Sequence, residues 1–405
     1  MPSFKQSTCI SSIFSNSFFK TLFILTGLFA ISACSVNPVT GEEHFLLPSQ
    51  ATDYQIGQSQ YIPAQQSQGG AYTLDEDLNR YISEVGHKLA AVIDAPDLPY
   101  EFVVLNNSVP NAWALPAGKI AINRGLLLKL EDEAQLAAVL GHEIVHAAAR
   151  HGAQQMRNQQ FIQLGMAGLG IALQDNDYRN IVIGGAALGA QLTSAKYGRG
   201  NELESDEYGM KYMAKAGYDL QAAVELQEIF LSLSQQGASS WIEGLFASHP
   251  PSQERIEKNR AHAAKFASNG KRGKEAYQAA TAYIREKAPA YDLASQATKA
   301  FAEKQLSQAQ TLVQQALTIE PEEAQFYSLK GSILQAQGEP THAVSAHNQA
   351  IKLNPHQFSY HLARGETLLE QGKIEQAKAD FEKSMSLVPT SLAKHYLQLL
   401  NPSQQ

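Results

Sequence analysis

"LGHEIVHAAARHG", Leu140 to Gly152, sets three histidines and one glutamate in a segment otherwise built mainly of small and aliphatic residues. Helical spacing puts His142 and His146 one turn apart on a single face, close enough for both imidazoles to reach one ion. Glu143 then addresses a water at the ion's open position. This is the HExxH arrangement: zinc supplies Lewis acidity, and the carboxylate takes the water's proton and later gives it to the leaving amine of a cleaved peptide. An HExxH also arises by chance in polar helices, so a third ligand is required. His151 follows His146 by five residues, which on a continuous helix is roughly 140° away. That position assigns it to support or packing.

Further along, "GNELESDEYGMKYMAKAGYD" (200–219) places Glu202 and Asp206 four residues apart on an expected helix. Glu202 can complete a set of two histidines and one glutamate. Asp206, on the same face, can accept the ring N–H of a ligating histidine and fix its tautomer. Glu204 and Glu207 are competing carboxylates whose other role is a solvated acidic face, and spacing alone leaves Glu204 open as the ligand. His249, in "ASHPPSQERI", is followed by two prolines. It is a candidate for steadying an oxyanion, or for taking the ion's open position and keeping an enzyme latent; a loop histidine bonded to the scaffold is the plain alternative.

The chain has 405 residues, more than one ordinary core holds. Its composition is 44% hydrophobic and 18% charged, enough apolar surface for compact folding, and its net charge of -7 gives no basic field for a polyanion. Nucleic acid is not an implied partner. Lys5 and Lys20 precede "TLFILTGLFAIS", an apolar run suited to a signal peptide, which leads to "ISAC". The small residues before Cys34 resemble a lipobox, so residues 1–33 are expected to be a lipoprotein signal and Cys34 the lipidated residue. Cys9 leaves with the signal, which excludes an internal disulfide and a cysteine zinc site. Ser35 stands where aspartate would favour inner-membrane retention, so the pattern points to the periplasmic face of the outer membrane.

"SVNPVTGEEHF" (35–45) reads as a turn-rich tether and "AQQSQGGAY" (64–72) as a second flexible patch, within an anchored segment 34–70. A first helix is expected to open with Thr73 and Glu76 in capping-box spacing and to bury Leu78, Tyr81, Ile82, Val85 and Leu89. "YEFVVL" predicts a strand, and "NAWALPAGKIAINRGLL" an extended segment whose Pro110 and Pro116 favour a sheet edge. The Gly- and Ala-rich stretch 161–192 predicts packed core helices, with a lid or a membrane-contacting hairpin as the sharper alternatives. In the C-terminal third, Pro321, Pro355 and Pro389 stand 34 residues apart, as do Ala309, Ala343 and Ala377, and Ala297, Gly331 and Gly365. That is the period of tetratricopeptide repeats, stacked helix pairs with a concave surface for a polypeptide.

Four motifs together, "HEIVH", "ELESD", "NAWALPAGKIAINRGLL" and "SHPPSQERI", resemble the metallopeptidase family of HtpX and the CAAX prenyl endopeptidases, from about Leu74 to Arg260. The resemblance implies that His142, His146 and Glu202 bind one zinc, that Glu143 is general base and acid, and that Asp206 supports the ligands. It also implies that Asn111, Ala112, Trp113 and Ala114 belong to an edge strand on which substrate backbone lies. Arg255 fits the family's HPxxxxR pattern and is assigned to pairing with a carboxylate. Membrane-embedded members have several spanning helices that this sequence lacks, so prenylated substrates are not implied. Members that carry the repeats degrade stalled outer-membrane proteins and assist their assembly, the repeats meeting the assembly machinery; they are soluble in the periplasm, whereas Cys34 implies an anchor here. The expected architecture is mainly α with a small β-sheet: a zincin-type domain at 71–275 and an α-solenoid of repeats at 276–400. The expected function is a zinc endopeptidase of misfolded or stalled envelope proteins. The competing function is a repeat chaperone or scaffold with secondary or silent proteolysis.

Overall fold

The computed structural model describes residues 34–45, 49–94, 98–157, 196–237, 244–266 and 270–400. The signal-peptide reading of 1–33 and the whole stretch 161–192 lie outside them. Among the described residues no helix is long and apolar enough to cross a membrane.

Strands β1 (Cys34–Val36) and β2 (Glu43–Phe45) form an antiparallel hairpin. Helix α1 (Gln50–Ser67) follows, then α2 (Glu76–Ala90). A three-stranded sheet is built from β3 (Glu101–Leu105), β4 (Ala112–Leu115) and β5 (Lys119–Asn123), in the order β3-β5-β4. β3 runs parallel to β5, and β4, flanked by prolines, pairs antiparallel to β5 at the sheet's edge. Apolar side chains from α2 and the sheet, with Leu136, Leu140 and Ile144 of α3 (Glu133–Ala148), form the main core.

Helix α3 is capped by Asp132, whose carboxylate accepts from Gln135 N at 2.9 Å. It packs on α4 (Arg199–Lys215), where Gly141 and Gly209 face each other: a Cβ on Gly209 would sit 3.1 Å from Gly141 C. Two residues without side chains bring these backbones close, which places the inner faces of α3 and α4 within reach of one point. Helices α5 (Gln221–Gln235), α6 (Gln253–Ala263) and α7 (Lys274–Ala280) complete this part.

The repeats are the helix pairs α8 (Ala282–Ala302) with α9 (Leu306–Ile319), α10 (Ala324–Ala336) with α11 (Pro340–Leu353) and α12 (Phe358–Glu370) with α13 (Ile374–Leu387), closed by α14 (Ser391–Leu400). The periodic small residues sit where paired helices touch. A Cβ on Gly365 would lie 2.7 Å from the Phe381 ring, and one on Gly331 2.5 Å from the His347 ring. The repeats bond directly to the N-terminal part. Gln66 of α1 donates to His356 O at 2.7 Å and accepts from Phe358 N at 3.0 Å, and Gln325 donates to the carbonyls of Gly69 and Asn106. The buried Arg124 lies 3.3 Å from the centre of the Tyr291 ring.

Two local expectations are corrected. Residues 50–67 form one helix rather than ending in a flexible patch: the Gln-rich sequence, interrupted by Gly57 and Pro63, has no apolar period to announce it, and the buried residues Tyr61 and Ala64 hold it to the sheet through Trp113 and Leu115. Helix α2 is capped by Asp75, which accepts from Leu78 N at 2.9 Å, rather than by Thr73. The Asp side chain reaches the third amide along, which is the N-cap geometry.

Gly57 tests how α1 is seated. A Cβ there would meet Pro116 O at 2.2 Å. Gly57→Ala is expected to cost about 1–3 kcal/mol through overpacking, visible as a lowered denaturation midpoint. An unchanged midpoint would show that α1 does not dock as described.

Candidate metal centre

Helix α3 presents His142, Glu143 and His146, and α4 presents Glu202 and Asp206. His249 follows a single helical turn, Leu245–Ser248, and Arg255 begins near the start of α6. All seven side chains are buried. His142 Nε2 lies 3.0 Å from His146 Nε2 and 3.5 Å from Glu202 Oε2, and His146 Nε2 lies 3.3 Å from Glu202 Oε1. His249 closes the group: its Nδ1 is 3.3 Å from His142 Nε2 and 3.1 Å from Glu202 Oε1. One ligand atom from each of these four residues lies within 4.8 Å of the others.

The charge distribution suits a cation. Burial disfavours a protonated imidazole at His142, yet Glu202 and Asp206 outweigh it and push the group up to about 9. Burial dominates at His146 and holds it well below the usual imidazole range, in the neutral form that ligates. Burial would also raise Glu202, but its neighbours His249, Arg255 and His142 outweigh that and hold it well below the carboxylate range.

Asp206 Oδ1 stands 2.9 Å from His142 Nδ1, the ring nitrogen that faces away from Glu202. Arg255 grips Asp206 with two bonds of 2.7 Å and reaches Glu202 Oε2 at 2.8 Å. Glu143 Oε1 is 3.4 Å from His249 Nε2, and burial raises its carboxyl above the usual range. The competing carboxylates are elsewhere: Glu204 faces His151 and Asn37, and Glu207 lies 3.6 Å from His262. Beside Glu143, Val139, Met210, Met213, Leu226, Phe230 and Leu245 line an apolar pocket.

Asn111, Ala112, Trp113 and Ala114 lie at and on the edge strand β4 and are buried. Leu245 N donates to Pro110 O at 2.9 Å, so the turn that carries His249 also covers the start of that strand. Tyr197 is a residue that sequence reasoning missed. Its ring stacks on His146 with centroids 3.8 Å apart, and no motif or period marks it.

An HExxH helix whose histidines meet a glutamate from a second helix defines a metallopeptidase. The chain belongs to peptidase family M48, whose model matches residues 76–263, and tetratricopeptide repeats match at 324–357 and 358–390. It is 30% identical over 184 residues to the metalloprotease YcaL of Escherichia coli, covering 43% of this chain and 68% of that protein. It is 26% identical over 258 residues to the beta-barrel assembly-enhancing protease of Escherichia coli, covering 60% of this chain and 53% of the relative. The putative beta-barrel assembly-enhancing protease of Vibrio cholerae is 30% identical over 198 residues, 47% of this chain and 40% of that one. The matches thus span about half or less of these assembly-enhancing relatives. The chain thus joins a domain of peptidase family M48 to C-terminal tetratricopeptide repeats.

Proposed function

We propose that the metal is zinc, held by His142, His146 and Glu202, and that the enzyme degrades unfolded or misassembled outer-membrane proteins. The observation that carries this reading is the convergence of the donors. Their separations of 3.0–3.5 Å compare with about 3.3 Å for the edge of a tetrahedron with bonds of 2.0–2.1 Å to zinc. When bound, zinc supplies Lewis acidity toward a peptide carbonyl and lowers the pKa of water. Glu143 takes the proton of the attacking water and delivers it to the leaving amine. Asp206 fixes the His142 tautomer, and Arg255 fixes Asp206. Backbone pairing along β4 would align a substrate in extended form, and the pocket of Val139, Met213 and Phe230 offers an apolar surface beside Glu143.

Relatives named beta-barrel assembly-enhancing proteases support barrel proteins as the substrate class. We place the catalytic domain at 71–275 and the repeats at 276–400, the repeats binding polypeptide, including assembly machinery. The lipobox-like "ISAC" supports a signal at 1–33 and an anchored segment at 34–70, with lipid on Cys34 at the periplasmic face of the outer membrane. The test is cleavage of an unfolded outer-membrane protein by the full-length chain, with bound zinc measured. Zinc-free protein that cleaves, or zinc-loaded protein that cleaves neither as such nor as His249→Ala, would overturn the reading.

His249 holds this enzyme latent. Its Nδ1 stands where a fourth ligand belongs, its Nε2 faces Glu143, and the turn before it covers the start of β4. One segment therefore blocks ion, base and strand together. If the open state is a minor one of about 10% or less, His249→Ala should raise the cleavage rate roughly tenfold or more. An unchanged or lower rate at equal zinc content would show that His249 does not restrain the site.

A further inference from the structure

We infer that His151, Glu204 and Asn37 form a chain of positioning residues for His146, which makes the turn after Cys34 a structural part of the metal centre. On an unbroken helix His151 would point away from His146. The helix is broken: α3 ends at Ala148, Arg150 takes a left-handed φ of 60°, and 151–157 is helical again. The break returns the His151 ring to His146, with their Nδ1 atoms 3.0 Å apart. A buried ion pair of 2.6 Å between Arg150 and Asp53 of α1 holds the turn.

On its far side, His151 Nε2 lies 3.4 Å from Glu204 Oε1, to which Asn37 Nδ2 donates at 2.7 Å. Asn37 Oδ1 accepts from the amides of Val39 and Thr40 at 2.9 and 3.3 Å, which orients its nitrogen toward Glu204. Val39 packs against Val145, Ala148, Ala149 and Tyr212, so this turn is seated on the back of α3.

Proton bookkeeping gives the chain a direction. A His146 that ligates through Nε2 carries its proton on Nδ1 and donates it to His151 Nδ1. His151 must then carry its own proton on Nε2, facing the Glu204 carboxylate. This proton arrangement ends on a negative charge, the Glu204 carboxylate at ion-pair distance from His151 Nε2. Ser205 Oγ, 3.4 Å from His151 Nδ1, is a longer contact to the same nitrogen. His142 is supported directly by Asp206, so each ligating histidine has its own carboxylate, one direct and one relayed.

The inference rests on His146 being a zinc ligand. It is tested on the full-length chain by zinc affinity, from competition with a chromophoric chelator, and by the visible spectrum of the cobalt(II)-substituted protein. His151→Phe should weaken zinc about 10–100-fold and shift the cobalt bands. His151→Gln, which keeps an acceptor, should recover much of the loss, and Glu204→Gln and Asn37→Ala should fall in the same direction. An affinity within about twofold of the parent for folded His151→Phe overturns the inference. If that variant does not fold, the partly exposed Glu204→Gln decides: a loss of about threefold or more supports the chain, and a smaller one overturns it. A parent that binds no zinc would instead overturn the metal-centre reading.

Discussion

Glu143→Gln is expected to abolish cleavage while leaving zinc in place. The side chain is 1% exposed, and glutamine has the same shape, so the packing between α3 and α4 is kept. Glu143 lies outside the set formed by His142, His146, Glu202 and His249, so the ion loses no ligand. What disappears is the group proposed to move a proton in both halves of the reaction, because an amide cannot accept the water's proton or deliver it to the amine. Loss of a positioned general base and acid costs about 10²–10⁴-fold in rate. Cleavage of an unfolded outer-membrane protein should therefore fall to background in Glu143→Gln, and equally in a chain that carries His249→Ala as well. Zinc content and denaturation midpoint should match the parent. A variant that still cleaves would remove Glu143 from the mechanism. Full function in cells from a variant that cannot cleave would favour the repeat scaffold, with proteolysis silent.

Much of the candidate site is legible in the sequence because its spacing rules are local. His142, Glu143 and His146 share one helix, Glu202 and Asp206 another, and a period of four residues fixes which side chains share a face. The structure brings these two groups together through a feature that no local rule displays, the mutual approach of Gly141 and Gly209. The repeats were legible for another reason: their small residues recur at 34 because each must face a ring or backbone of the paired helix. What escaped depends on breaks and on distant partners. His151 has the supporting position that the sequence assigns it, but reaches His146 only because Arg150 interrupts the ideal helix, and Glu204, a competitor for the ion by spacing alone, faces His151 instead. Tyr197 reaches His146 from a segment without periodicity. Helix α1 has no apolar stripe to announce it, yet its Asp53 holds Arg150 and its Gln66 holds the repeats.

Arg255→Met should destabilise the protein, and more severely without zinc than with it. Arg255 is 4% exposed and makes two bonds to Asp206, one contact to Glu202 and one bond to Pro250 O. It helps two buried carboxylates stay ionised: burial alone would raise Asp206, yet Arg255, with His142, holds it below the carboxylate range. Methionine fills the volume and leaves both charges in a poor solvent for them. Breaking a buried pair in this way costs about 3–5 kcal/mol. Lysine should rescue little, because a point charge cannot grip Asp206 with two parallel bonds. Zinc changes the size of the effect. An ion on Glu202 replaces part of the lost positive charge, so denaturation with zinc present should show a smaller loss than denaturation with a chelator. The two measurements separate the roles of the arginine: equal losses would mean that Arg255 serves Asp206 and the Pro250 loop alone. A loss below about 1 kcal/mol in both would mean that the buried carboxylates are neutralised by other means.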